Sequence, residues 1–487
     1  MERIKNIIHK AILICGIFCM QICCCACSDM SELGNNSLSV NEVSSDSVSF
    51  NENKGVEDEI VDKPENQEDV SENTSQPTEA VMLEDHFITW EEAGLEDHVM
   101  DWQDENLEAA MRKITGIAEE DIMLSDVWEK TDLELDREDI SNINALGELV
   151  NLRILNLNSN QISDISALKE LTNIEYLSLQ HNQISDISAL KDLTNLQQLD
   201  LWGNDISNID ALSGLTNLCE LDLGFNFHIS DISPLRELVN LKGLDLCWNQ
   251  VSDISALSGL RNLRYLILDH NQVCEIGILS KLVNLRELDL GWNEIHDIHI
   301  LSELVNLKIL NLGHNQIADI GVLGILTDIQ KLHLDYNQIS DISVLSELTN
   351  LQLLYLEGNQ IDDISALSEL INLQKLDLDC NQISDISPLE KLTNLKSLFI
   401  GGNMISDISV LKNLIQLQEL ALGWNQISDI SVLGNLINVQ GLGLQYNQIT
   451  DISILSGLEN LRELYLTGNT IDDYSVLREL HLTHVER

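Results

Sequence analysis

The sequence predicts an α/β solenoid. The expected form is an arc of stacked copies with a parallel sheet on its concave face, short 3₁₀ or turn segments on its convex face and a small helical N-terminal cap. Three observations carry that expectation. A 22-residue unit recurs, as in Asn284 to Val305 (NLRELDLGWNEIHDIHILSELV), with flanking copies from Asn262 to Val283 and from Asn306 to Thr327. In each unit a strand-like L-x-x-L-x-L-x-x-N run precedes an I-x-D-I-x-x-L-x-x-L run with the spacing of a tight turn. An Asn column (Asn160, Asn182, Asn204, Asn226, Asn249 and onward to Asn469) fills all fifteen regular copies between Asn151 and His481. A repeat array grows in one dimension, so the length prior of about three domains for 487 residues does not apply.

Residues 1–27 open with Arg3, Lys5 and Lys10, then run apolar from Ala11 through Ile22 to CCCAC. A basic start, an apolar stretch and a small residue before a cut site make an export signal, and the stretch is short against the ~20 residues of a bilayer span. Ala26-Cys27 followed by Ser28-Asp29 resembles a bacterial lipoprotein box, with Cys24 where that family usually has Leu. The resemblance implies lipidation at Cys27; a plainly cleaved signal or an uncleaved anchor are the alternatives. From 28 to 85, sixteen acidic residues meet two basic ones, Lys54 and Lys63, and apolar residues are sparse. Such a segment buries too little to offset its ordering entropy and is expected to be a disordered tether.

Residues 86–128 are expected to form a helical cap. Asp104 stands as an N-cap, Leu107, Ala110, Met111 and Ile114 follow helical spacing, and Gly116 ends the pattern. A second short helix is expected from Ser125, burying Val127 and Trp128. The array then occupies 129–487, as one degenerate copy with Glu138 in the Asn slot and fifteen regular copies. The copy from Asn217 carries one extra residue around Phe227-His228, and little room follows Leu480.

Seven apolar side chains per copy contribute ~1.5–3 kcal/mol each. Ordering the backbone costs about 1–2 kcal/mol per residue over 22 residues, so no copy stands alone and copies must stack. The Asn column suits a buried amide that bonds backbone in its own and the neighbouring copy. The Asp column (Asp164, Asp186, Asp231, Asp253, Asp297 and others) precedes I-S-x-L, which suits a capping role better than a calcium ladder. Six of the ten cysteines fall in the first 27 residues. Cys219 and Cys247 sit in adjacent copies but five residues out of register, roughly 16 Å at ~3.3 Å per residue. A disulfide needs about 7 Å or less between Cα atoms, so Cys219, Cys247, Cys274 and Cys380 are expected to be thiols.

These features define the 22-residue class of leucine-rich repeat, and the array is most similar to the internalin-type arrays of bacterial surface proteins. The stretch DENLEAAMRKITG followed by DIMLSDVWEKTDLEL resembles their N-terminal caps. The resemblance spans residues ~100–487 and implies a fold, since the shared residues are scaffold. No immunoglobulin-like domain and no LPxTG-type sorting signal follow the array, which leaves the N-terminal lipid as the expected surface anchor.

Function must lie in what differs between copies. The position before the Asn reads Ser159, His181, Gly203, Phe225, Trp248, His270, Trp292, His314, Tyr336, Gly358, Cys380, Gly402, Trp424, Tyr446 and Gly468. Nearby slots add Trp202, Tyr176, Tyr265, Tyr355, Phe399 and Tyr465. Of fourteen aromatic residues in the regular copies, all but Phe227 and Tyr474 fall on the expected concave face. The slot between the last two leucines adds Asp200, Asp222, Asp245, Asp289 and Asp377. An aromatic stripe beside an acidic one suits a binding surface centred on Phe225 to Tyr336; the alternative is rings stacked only to support the sheet.

Net charge is −53, with 80 acidic residues against 27 basic, which disfavours nucleic acid and anionic membranes and favours a protein ligand with basic residues. Membrane contact is expected only through the lipid, with the chain at the outer face of the cell membrane or secreted. Glycan or cell-wall binding on the same rings is the alternative, and an intracellular phosphatase-regulator-like scaffold a more distant one. No nucleophile, zinc or phosphate-loop motif is present, so neither an enzyme nor a cofactor is expected. His296 and His299 fall on the returning side without a third ligand, and Cys247, Asp269 and His270 share an open sheet, so no metal is expected.

Overall fold

The computed structural model describes residues 89, 90, 92 and 94–487. The expected export signal with Cys27 and the expected acidic tether lie outside the described residues.

Seventeen short strands pair in chain order, every neighbour parallel, from β1 (Asp132–Glu134) to β17 (His484–Glu486). The fold is an α/β solenoid of leucine-rich repeats. Each strand is three residues long and centres on one inward-facing residue: in β1 to β16 this is a buried leucine, as Leu288 is between Glu287 and Asp289, and in β17 it is the half-buried Val485. The chain returns through 3₁₀ segments such as His299–Glu303, whose apolar members Ile298, Leu301 and Leu304 close the core from the other side. One strand was not expected from the repeat. Past Leu480, where the pattern ends, β17 pairs with Glu463–Tyr465 and becomes the terminal strand of the sheet.

Helix α1 (Glu105–Thr115) begins at Asp104 and ends at Gly116, whose φ of 77° completes the turn. Asp104 does more than cap: Oδ1 accepts from Asn106 N and Leu107 N, and Oδ2 accepts from Ser141 N, Ser141 Oγ and Asn142 N. One carboxylate thus joins the cap to the first copy. The second helix, α2, is a single turn (Leu124–Val127) that buries Leu124 and Val127, with Trp128 buried just after it.

The Asn column locks copy to copy. Asn293 Nδ2 donates to Leu268 O (2.9 Å) in the preceding copy and to Leu290 O (3.2 Å) in its own, while its Oδ1 accepts from Val273 N (2.8 Å). A second ladder, absent from the sequence-based expectations, uses the first residue of the copy: Asn284 Nδ2 donates to Arg261 O at 2.8 Å, and Asn306 and Asn350 repeat the bond. The convex Asp column accepts from the N–H two residues on, as Asp253 does from Ser255 N at 2.8 Å, which starts each 3₁₀ turn. Cys219, Cys247, Cys274 and Cys380 form no disulfide.

Candidate functional site: an aromatic column along the sheet rim

The repeat imposes an unusual backbone on the position before each Asn. All fifteen adopt positive φ, from 48° at Tyr336 to 77° at Gly468. The chain must turn sharply there so that the Asn amide can reach back to its own strand. Left-handed geometry costs a residue with a Cβ roughly 1–2 kcal/mol, so glycine is the undemanding choice. Only Gly203, Gly358, Gly402 and Gly468 take it. Phe225, Trp248, Trp292, Tyr336, Trp424 and Tyr446 place large rings on that strained backbone instead.

The column stands just past the strands, not in them: Trp292 follows the strand end Asp289 by three residues, and its N–H donates to Gly313 O at 2.9 Å. The rings stack copy on copy. His181 meets Trp202 (centroids 4.4 Å), Trp202 meets Phe225 (4.5 Å) and Phe225 meets Trp248 (5.1 Å). Beyond these the rings turn nearly parallel: Trp248–His270 at 3.7 Å, His270–Trp292 at 4.9 Å, Trp292–His314 at 3.6 Å and His314–Tyr336 at 4.3 Å. Gly203 does not interrupt the stack, because Trp202 from the adjacent slot stands in. Each ring pair contributes about 0.5–1.5 kcal/mol, which roughly cancels the left-handed cost. Stacking therefore keeps the column in place but leaves it little surplus as a stabilising device.

The structure thus brings together Trp202, Phe225, Trp248, His270, Trp292, His314 and Tyr336. Tyr265 stands apart, in the first slot of its strand beside Gly243. Phe227, set off the face by its repeat position, joins the column after all: the extra residue of its copy lets its ring meet Phe225 at 5.5 Å and Trp248 at 6.4 Å edge-on. Tyr336 also donates its hydroxyl to Glu357 Oε1 at 2.5 Å.

Beside the rings runs the acidic row. Asp200, Asp222 and Asp245 are direct cross-strand partners, and Asp289 lies beyond Ile267. Each accepts from the N–H two residues on, as Asp245 does from Cys247 (2.8 Å) and Asp289 from Gly291 (2.9 Å). Burial pushes Asp245 up to about 6 and Asp289 up to about 7, and the neighbouring Asp269 charge adds to both. A second acidic slot, two residues further on, was not among the expected site residues. Burial lifts Asp335 to about 6 and Asp379 to about 7, with Glu357 adding repulsion, and Asp377 is raised beside them. Its signal was the same two-residue alternation read one step past the last leucine. Burial also holds His314 down to about 4, so it stacks as a neutral ring.

Cys247 is buried and its thiol is pushed up by that burial, which leaves little thiolate for metal or redox chemistry. Asp269 binds His270 Nδ1 at 2.8 Å. His296 and His299 are exposed, and His299 Nδ1 lies 2.7 Å from Asp297. Among the described residues no three His, Cys, Asp or Glu side chains gather as a metal-binding group. None of the helices there is long and apolar enough to cross a membrane.

A continuous parallel sheet, a stacked Asn column and a variable inner face define a repeat scaffold built to present side chains. Comparison with known proteins agrees. The family model for leucine-rich repeats, in units of two copies, matches residues 150–192, 172–214, 194–237, 216–259, 283–325, 305–347, 327–369, 349–391, 371–413, 393–435 and 437–479, more than half of the chain. A crystal structure of an internalin from Listeria monocytogenes is 34% identical with a TM-score of 0.59, the alignment covering 70% of this chain and 95% of that one. A leucine-rich-repeat protein of Leptospira interrogans is 27% identical with a TM-score of 0.67, covering 74% and 97%. A plant peptide hormone receptor, RGFR1, solved in complex with RGF2, shares the fold at 21% identity and a TM-score of 0.58, covering 73% and 67%. No curated relative matches. The chain belongs to the leucine-rich-repeat proteins, of the internalin-like kind.

Proposed function

We propose that this chain is an exported, non-enzymatic binding protein, lipid-anchored through Cys27 at the outer face of the membrane, that captures a protein ligand bearing basic residues. The carrying observation is the unbroken stack from His181 to Tyr336, held on strained backbone and flanked by carboxylates kept close together. Large rings at a position suited to glycine are poorly explained by stability, and a cationic partner would relieve the crowded acids. Fold relatives add support: a plant receptor of this fold was solved with RGF2.

Stack geometry favours a protein over a glycan along this stretch. A sugar ring needs a free aromatic face, whereas Trp248, His270, Trp292 and His314 use their faces on one another at interplanar angles of 12–16°. Edges and the adjoining acids are what remain for a partner. The experiment is a capture assay with the whole chain beside a Trp248→Ala/Trp292→Ala variant. The double variant is expected to lose on the order of a hundred-fold in affinity for its captured protein. Equal capture by both chains would rule the column out as the binding surface, and capture insensitive to salt would count against the charged partner.

A further inference from the structure

Ring stacking along the rim stops and then restarts, and the restart is open. At Gly358 and Gly468 the ring of the preceding copy lies over the glycine: an added Cβ would come within 2.6 Å of Tyr336 and 2.5 Å of Tyr446. At Gly203 the His181 ring plays that part, and Trp202 fills the rung. Gly402 differs from all three. Its three nearest neighbours are all atoms of Cys380, with Sγ 3.2 Å from where a Cβ would stand, and none of them belongs to a ring.

The next rung is Trp424, which is 54% exposed. Its one ring contact among the described residues is Tyr446, stacked at 3.8 Å on the C-terminal side. The other indole face therefore looks onto the space above Gly402. Two rungs at ~4.8 Å separate Cys380 from Trp424 by about 10 Å. A planar group needs roughly 3.5–4 Å on each side, so the gap takes one flat group.

The floor beside that gap is acidic. Asp379 Oδ1 accepts from Gly401 N at 2.5 Å, which draws its carboxylate across to the copy of Gly402. Asp377 Oδ1 in turn accepts from Asp379 N at 3.0 Å. No salt bridge reaches Asp379 among the described residues.

We infer that the gap between Cys380 and Trp424 is a binding site for a planar cation, the guanidinium of an arginine on the ligand, stacked on Trp424 and paired with Asp379. The inference rests on the proposed capture of a basic protein ligand and names the side chain that this part of the face selects. A guanidinium is flat, stacks on an indole face and presents parallel N–H donors to a carboxylate. A lysine ammonium is a hydrated point charge that fills no slot, and a sugar ring would use the face without requiring the charge.

The full-length chain is titrated with N-acetyl-arginine amide, N-acetyl-lysine amide and methyl N-acetylglucosaminide, followed by saturation-transfer NMR. The arginine probe is expected to bind on the order of ten-fold tighter than the lysine probe. Gly402→Trp supplies the missing rung on a backbone (φ 61°) close to those that hold Trp at 248, 292 and 424, and should weaken the arginine probe about ten-fold. Gly402→Ala leaves the gap open and should bind like the parent chain; Asp379→Asn should bind weakly. Arginine binding that Gly402→Trp leaves intact, or a sugar signal that it abolishes in place of an arginine one, overturns the assignment. Trp424→Ala shortens an exposed side chain and guards against a misfolded Gly402→Trp: unchanged arginine binding in it also overturns the site. Trp248→Ala/Trp292→Ala is expected to leave the arginine signal unchanged, so this site and the wider capture surface fail separately.

Discussion

Two aspartate columns run along the array, one on each face, and both accept a hydrogen bond from the N–H two residues on. Asp253 on the convex face bonds Ser255 N at 2.8 Å, and Asp289 on the concave face bonds Gly291 N at 2.9 Å. Their electrostatics diverge. Asp253 is held below the ordinary carboxylate range by that hydrogen bond, as are Asp231, Asp341 and Asp429 in the same column. Asp289 is driven up to about 7 by burial and by Asp269, despite the same bond. The local turn chemistry is equal, so the surroundings decide: solvent on one face, ring edges and other acids on the other. A capping aspartate is inexpensive where water screens it and costly where a surface has been prepared for something else.

The largest test of this contrast is direct titration. Carboxyl-carbon NMR should place the Asp289 midpoint near 7 and that of Asp253 below 3.8. Overlapping midpoints would erase the distinction between the faces.

Next in size is the pH dependence of unfolding. A carboxyl raised in the folded state binds its proton more readily there, so it adds stability below 3.8 that is lost as pH rises toward 7. His314, lowered from 6.5 to about 4, acts the other way and favours the folded chain above 6.5. Asp245, Asp289, Asp335 and Asp379 outnumber it, so denaturant midpoints should be higher at pH 5 than at pH 8. Asp289→Asn should raise stability at pH 8 by up to about 4 kcal/mol and flatten the slope, since a shift from 3.8 to about 7 spans roughly three pKa units at ~1.4 kcal/mol each. A variant as pH-dependent as the parent would remove Asp289 from that account.

The smallest effect belongs to the convex face. Asp253→Ala removes one of many repeated turn bonds in open solvent and should lower the thermal midpoint slightly at neutral pH. A rise on losing Asp253 would show that its face is strained too.

Most of the architecture was legible because the period of 22 fixes which leucines meet, and Leu288 has no other place to go. The Asn column was legible for the same reason, since a polar residue recurring amid leucines must bond backbone. The aromatic column was visible as a bias in composition, but its geometry was not. Positive φ before each Asn follows from how the amide folds back, and face-to-face stacking follows from that φ; neither has a residue signature when Trp and His replace glycine. The raised acids were hidden because burial of Asp379 depends on copies above and below it. Strand β17 was missed because it lies beyond the last leucine of the pattern.

The copy from Asn217 holds one residue more than its neighbours, yet Asp222 still pairs with Asp245 and Asn249 Nδ2 still reaches Leu223 O at 3.0 Å. The surplus is taken up beyond the Asn, where Phe227 swings against Phe225 and Trp248. Natural variation therefore has a route to new specificity that leaves the scaffold untouched. A single inserted codon after the Asn of a copy can widen the recognition surface by one ring, while duplication of a whole unit lengthens it by one rung.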